Sequence, residues 1–102
     1  MILEEFKEAL MDKGDRLSVS GPLEALALDA RGDWEAAHLM VQAIKGPEAE
    51  WVHAYLHRKE GDASNARYWY DRCGRESCAR PLQDEWNEIA SELLRSQEPS
   101  SS

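Results

Sequence analysis

Residues 61–73, GDASNARYWYDRC, repeat the pattern of residues 32–44, GDWEAAHLMVQAI, at an offset of 29 residues. Each segment opens with a Gly-Asp pair, and apolar residues then recur at matched positions: Trp34 and Ala63, Ala37 and Ala66, Met40 and Trp69, Val41 and Tyr70, Ile44 and Cys73. On a helix these five positions fall within about 120° of arc, which predicts the same buried stripe on both segments. The repeat therefore predicts two copies of one helical unit.

Proline and glycine mark the helix ends around this repeat. Pro22, Pro47 and Pro81 each precede an apolar and acidic stretch, and a helix tolerates proline at its first position because the N–H there has no internal partner. Gly32 and Gly61 suit the left-handed residue after a helix, and the aspartate after each glycine suits an N-cap. The pattern predicts an all-α fold of six helices, at 2–13, 22–31, 33–45, 47–60, 62–73 and 81–95.

The two units resemble the tetratricopeptide class of helical-hairpin repeats over about residues 22–95. The residues that carry the resemblance are Ala25, Gly32, Ala37, Val41 and Ile44 in the first unit and Ala54, Gly61, Ala66, Tyr70 and Cys73 in the second. The resemblance implies a short right-handed array of antiparallel hairpins, with residues 2–13 and 81–95 as caps over its ends. The spacing of 29 residues departs from the roughly 34 of that class, and residues 51–54, WVHA, lack its Leu-Gly pair.

A narrower resemblance covers residues 51–74, WVHAYLHRKEGDASNARYWYDRCG. This stretch is similar to a small group of uncharacterised bacterial and fungal proteins that has no assigned activity. In tetratricopeptide-like arrays the first helix of each hairpin lines the concave surface, so the first resemblance implies that His53 and His57 lie inside such a surface.

The composition indicates one globular domain and excludes several functions. The chain has 102 residues, 42% of them hydrophobic and 31% charged, which is enough for one modest core. We expect that domain over residues 1–95 and a disordered tail at 96–102. A net charge of −8 argues against binding to nucleic acid or to an anionic membrane. With no membrane-spanning run and an acidic N-terminal segment, we expect a cytoplasmic protein.

A polar stripe on the fourth predicted helix contains Glu50, His53, His57 and Glu60, at intervals of three, four and three residues. Histidines at i and i+4 can direct nitrogen atoms at one ion, so a divalent metal at His53 and His57 is one alternative. The others are a ligand- or partner-binding role and a solvated face whose histidines are hydrogen-bonded to the carboxylates. In each case the carboxylates favour protonation, and we expect the stripe to titrate between pH 5 and 8.

Basic and aromatic side chains around the second Gly-Asp turn predict a binding surface. Its candidate residues are His53, His57, Arg58, Asn65, Arg67, Tyr68 and Arg72. Arginine can form bidentate contacts to a carboxylate, a phosphate or an acidic peptide, and the alternative is pairing of these arginines with acidic residues within the chain.

The leading functional hypothesis is a noncatalytic module, without a cofactor, that binds a protein or peptide partner or a small anion. Phosphate-binding loops and hydrolase motifs are absent from the sequence, which favours a protein without catalytic residues. A small metal-binding protein or enzyme that uses His53 and His57 is the second hypothesis. A homo-oligomer that packs through tryptophan-rich faces is the third.

The four tryptophans recur at positions 34, 51, 69 and 86, and we expect them to wedge between helices. Cys73 falls on the apolar stripe, which predicts an inert thiol. Cys78 lies in an arginine-flanked loop, where positive charge favours the thiolate and predicts a more reactive thiol.

Overall fold

Six helices, none longer than 16 residues, build the part of the chain that the structure describes. The computed structural model describes residues 3–11 and 21–97. Its helices are α1 (Leu3–Met11), α2 (Pro22–Ala30), α3 (Trp34–Gln42), α4 (Pro47–Lys59), α5 (Ala63–Arg72) and α6 (Leu82–Gln97). The all-α prediction is confirmed, and no strand occurs in these two ranges. α6 continues through Gln97 and so includes the first two residues of the expected tail, while the rest of that tail, 98–102, lies outside the described residues.

The two Gly-Asp turns are built by the same hydrogen bonds. At each turn the aspartate amide donates to the carbonyl five residues earlier at 2.9 Å, and the glycine amide donates to the carbonyl three residues earlier. Gly32 and Gly61 have φ of 91°, in the left-handed region that this helix-ending motif requires. The side chains of Asp33 and Asp62 then accept a hydrogen bond from the amide three residues later, at 3.1 and 3.2 Å. Each turn therefore ends one helix and caps the next, which gives the hairpins α2–α3 and α4–α5.

α4 lies at the centre of the fold. It packs against α5 in its own hairpin, against α2 and α3 of the preceding hairpin, and against α6. Its buried apolar residues are Ala49, Trp51, Val52, Ala54, Tyr55 and Leu56. His53 and His57 are also buried, at 5% and 6% exposure, so the predicted solvated face at these positions is wrong. The histidines are covered because neighbouring helices surround α4.

α6 contacts the first helix of both hairpins, α2 and α4, and α1 packs on α6. The Trp86 indole N–H donates to the Leu26 carbonyl at 3.2 Å, and its ring stacks on Phe6 at 5.8 Å between centroids. This differs from the expected caps over opposite ends of the stack, because α1 and α6 form one unit against the hairpins. Among the described helices, none combines the length and apolarity that a bilayer crossing requires.

A buried acid holds α6 against the second hairpin. Glu85 is 1% exposed, and its Oε1 accepts a hydrogen bond from Arg58 Nη1 at 2.8 Å. Its Oε2 accepts from the Tyr70 hydroxyl at 2.5 Å and from Trp51 Nε1 at 3.3 Å. Burial raises the pKa of Tyr70, as does the bond to Glu85, so the hydroxyl stays protonated and donates. The carboxylate thus has a counter-charge and hydrogen-bond donors, which a buried charge requires.

Candidate metal centre

The three histidines of the chain meet where the two hairpins pack together. His38 lies on α3, and His53 and His57 lie on α4. The ligand nitrogens of the three rings all lie within 4.8 Å of one another. The closest pair, His53 Nε2 and His38 Nε2, is separated by 3.0 Å and forms a hydrogen bond. We call this group, His38, His53 and His57, the histidine cluster.

Local helix geometry and the packing of α3 on α4 assemble the cluster. His53 and His57 are four residues apart, so they project from one face of α4. His38 follows Trp34 by one turn on α3, and α3 packs against α4. The ring centroid of His38 consequently lies 4.8 Å from that of His53 and 5.0 Å from that of His57.

Two tryptophans flank the histidine cluster. Trp34 stacks on His38 with 5.0 Å between centroids and 6° between planes, and its indole N–H donates to the Leu56 carbonyl at 2.8 Å. Trp69, from α5, stacks on His53 at 4.0 Å and 18°. Both are partly buried and pack against the core, as expected for wedges. Their contact with the imidazoles adds a role that the spacing did not predict: they screen the rings from water.

Burial favours the neutral form of two of these imidazoles. Burial, together with smaller contributions from repulsion by His38 and His57, lowers the pKa of His53 to about 4. The pKa of His38 is also lowered, again mainly by burial. The prediction that carboxylates would favour protonation of the stripe is therefore wrong for His53. Glu50, expected to act on it, pairs instead with Arg72 at 3.1 Å.

His57 has the carboxylate partner that the sequence analysis expected. Its Nδ1 lies 2.7 Å from Oε2 of Glu60, a distance at which the ring N–H donates to the carboxylate. In a neutral ring whose Nδ1 carries the proton, Nε2 has the free lone pair and is the nitrogen that can bind a metal. Asp62 belongs to the same neighbourhood, since ligand atoms of His57, Glu60 and Asp62 also lie within 4.8 Å of one another.

Two of the predicted site residues are used inside the fold. Arg58 bonds to Glu85 and to the Arg80 carbonyl, which places its guanidinium at α6. Asn65 donates its amide N–H and its side-chain N–H to the Asp62 carboxylate at the start of α5. Among the arginines, the alternative of pairing with acidic residues within the chain therefore holds for Arg58, with Glu85, and for Arg72, with Glu50.

The other predicted residues form an exposed surface on α5. Tyr68 is 51% exposed, and its hydroxyl accepts a hydrogen bond from Arg72 Nη1 at 3.3 Å. The Arg72 guanidinium also lies 5.4 Å from the centroid of the Trp69 ring. Arg67 is exposed on the same helix. Arg72 thus lies beside Trp69, which stacks on His53, while Arg58 does not take part in this surface.

Both cysteines lie outside the histidine cluster. Cys73 is partly buried and packs on the core, and burial raises its thiol pKa, which agrees with the predicted inert state. Cys78 is partly buried in the segment between α5 and α6. Its predicted reactivity stays a prediction.

His38 is the functional candidate that the sequence analysis missed. In the repeat His38 aligns with Arg67, which is an exposed residue. The polar stripe also considers one helix alone, so it does not include a histidine of α3. One signal was available, because Trp34 and His38 are spaced at i and i+4 on a helix that packs against the next hairpin in a repeat array.

No protein-family model, curated protein or solved structure matches the chain. The resemblances to tetratricopeptide repeats and, over residues 51–74, to an uncharacterised group stay predictions. A functional proposal therefore depends on the geometry of the site.

Proposed function

We propose that this protein binds one divalent transition-metal ion, of the Zn²⁺, Ni²⁺ or Cu²⁺ class, through His38, His53 and His57. The observation that carries the proposal is the convergence of all three histidines of a 102-residue chain on one partly buried position. Three ligands from two helices also supply what the single-helix stripe lacked, a third direction of approach to the ion.

The distances suit a metal after a small movement. Zinc binds imidazole nitrogen at about 2.0–2.1 Å, so two ligands of a tetrahedral ion lie roughly 3.3 Å apart. His53 Nε2 and His38 Nε2 are 3.0 Å apart, and no pair of ligand nitrogens in the cluster exceeds 4.8 Å. If the rings reorient so that the longer separations shorten to about 3.3 Å, one nitrogen of each histidine reaches a single ion.

The chemistry of the donors favours borderline metals. Imidazole suits zinc, copper and nickel, whereas magnesium and calcium prefer oxygen ligands. Burial keeps His38 and His53 neutral at physiological pH, so binding displaces few protons. Glu60 holds the His57 ring through Nδ1, as carboxylates do for metal-bound histidines. Three protein ligands leave a fourth coordination position for water or another group.

Calorimetric titration of chelator-treated protein with Zn²⁺, Ni²⁺ and Cu²⁺ tests this proposal. We expect one ion per chain, bound at least about tenfold more weakly after His38→Asn, His53→Asn or His57→Asn. Lys45→Gln, an exposed change just beyond α3, is the matched control and keeps the wild-type affinity. Circular dichroism verifies that each variant is folded. Wild-type affinity in all three histidine variants, or no binding of any of the three metals to the wild-type protein, contradicts the proposal.

The noncatalytic binding of a peptide or small anion stays a prediction for the surface of Tyr68, Arg67 and Arg72. Its supporting observation is the exposure of Tyr68 at 51% beside the Arg72 guanidinium. Tyr68→Ala with Arg72→Ala tests it without disturbing Arg58, which the fold uses. The cytoplasmic location and the homo-oligomer also stay predictions, and sedimentation at several concentrations tests the latter.

A further inference from the structure

An open cavity of about 360 Å³ lies where α1, α2, α4 and α6 meet. It shares no lining residue with the histidine cluster, so it is a separate place on the molecule. The buried rings of Tyr55 and Trp86 form part of its wall, and Lys7, Asp29 and Lys59 bring charge to it.

One buried carboxylate oxygen in the wall of this cavity has no hydrogen bond of normal geometry. Asp29 is 2% exposed, and its Oδ1 accepts a hydrogen bond from Lys59 Nζ at 2.9 Å. Its Oδ2 is buried and accepts no such bond from the residues that the structure describes, although the Tyr55 hydroxyl lies near the same carboxylate. Buried polar atoms are rarely left in this state, so Oδ2 favours a ligand that brings an N–H or O–H group.

The charge at the cavity favours an anionic group as well. Among the described residues of the lining, Lys59 and Lys7 contribute two ammonium groups and Asp29 one carboxylate. Lys59 is already paired with Asp29, whereas Lys7 is partly exposed and has no ion pair with any described residue. A negative group at Lys7 would therefore gain a charge-assisted hydrogen bond without displacing an existing pair.

We propose that this cavity binds a small carboxylic acid that also carries a hydrogen-bond donor, such as an amino acid or a hydroxy acid. The carboxylate of the ligand pairs with Lys7, its ammonium or hydroxyl group donates to Asp29 Oδ2, and its apolar part packs against Trp86. The volume of about 360 Å³ accommodates a molecule of this size.

Three matched probes test the proposal: leucine, 2-hydroxy-4-methylpentanoate and 4-methylpentanoate, which differ in carrying an ammonium group, a hydroxyl group or neither. Binding is followed by ¹H–¹⁵N spectra, in which each tryptophan indole N–H gives its own signal. We expect leucine or the hydroxy acid to shift the Trp86 signal, while those of Trp34 and Trp69 stay in place. The acid without a donor is expected to bind at least about tenfold more weakly, because it leaves Asp29 Oδ2 unpaired.

Two variants and one control complete the test. Lys7→Gln is expected to weaken binding several-fold, and Asp29→Asn to abolish the difference between probes with and without a donor. Lys45→Gln, remote from the cavity lining, leaves binding unchanged. Should Asp29→Asn fail to fold, Lys7→Gln still decides the outcome. The proposal is overturned if no probe shifts the Trp86 signal at millimolar concentration, or if all three probes bind equally well.

Discussion

At the scale of single residues, packing determines how the histidines behave. The sequence placed His53 and His57 on one face of a helix and paired His57 with Glu60, and the structure has that hydrogen bond. It did not reveal the burial of His53 or the proximity of His38, because both depend on a helix of the other hairpin. When one helix is considered alone, its polar face has no neighbouring helix to cover it, so these rings are expected to be in contact with water.

The metal-free protein is expected to lose stability as the pH falls below 6.5. The pKa of His53 is about 4 in the folded state and about 6.5 in the unfolded chain, so between these values the unfolded chain binds more protons. This contribution is fully present above pH 6.5, and about 2 kcal/mol of it is lost between pH 6.5 and 5. Urea unfolding with a chelator present measures the effect, and His53→Asn reduces the slope. If the protein instead becomes more stable as the pH falls from 6.5 to 5, the pKa of His53 is raised by nearby carboxylates, and this account is contradicted.

At the scale of helices, the residues at the ends of each helix made its boundaries predictable. α2 and α4 begin at Pro22 and Pro47, and α3 and α5 follow the caps Asp33 and Asp62, as the sequence predicted. These features act within a few residues, so they can be recognised without knowledge of the fold. The sequence predicted the α6 helix but not where it packs, because its contacts with α2 and α4 depend on residues distant in sequence.

The turn at Gly61 provides a test of this local chemistry. Gly61→Ala is expected to destabilise the protein by about 1–2 kcal/mol, because φ is 91° and a Cβ disfavours that conformation. No atom lies within 4 Å of the added Cβ, so steric clash contributes nothing and the backbone conformation accounts for the loss. Ser64→Ala, in the exposed first turn of α5, is the control and is expected to change stability by less than about 0.5 kcal/mol. Equal stability of the two variants would show that the turn does not require glycine.

At the scale of the whole molecule, the histidine cluster joins the two hairpins. His38 comes from α2–α3, and His53 and His57 come from α4–α5, so an ion bound to all three links them. The unfolded chain does not hold these ligands together, and binding therefore stabilises the folded state. At a free metal concentration of 100 times Kd the stabilisation is about 2.7 kcal/mol. We expect thermal unfolding of wild-type protein to move to higher temperature with zinc, and that of His38→Asn to move much less.

Diffraction from crystals of the zinc-loaded protein, measured at the zinc absorption edge, tests the central claim most directly. We expect one anomalous peak per chain, about 2.0–2.1 Å from one nitrogen each of His38, His53 and His57. The separation between His53 Nε2 and His38 Nε2, 3.0 Å in the metal-free geometry, should then be close to about 3.3 Å. A zinc peak elsewhere on the chain, with the hydrogen bond between His53 and His38 retained, would contradict the claim.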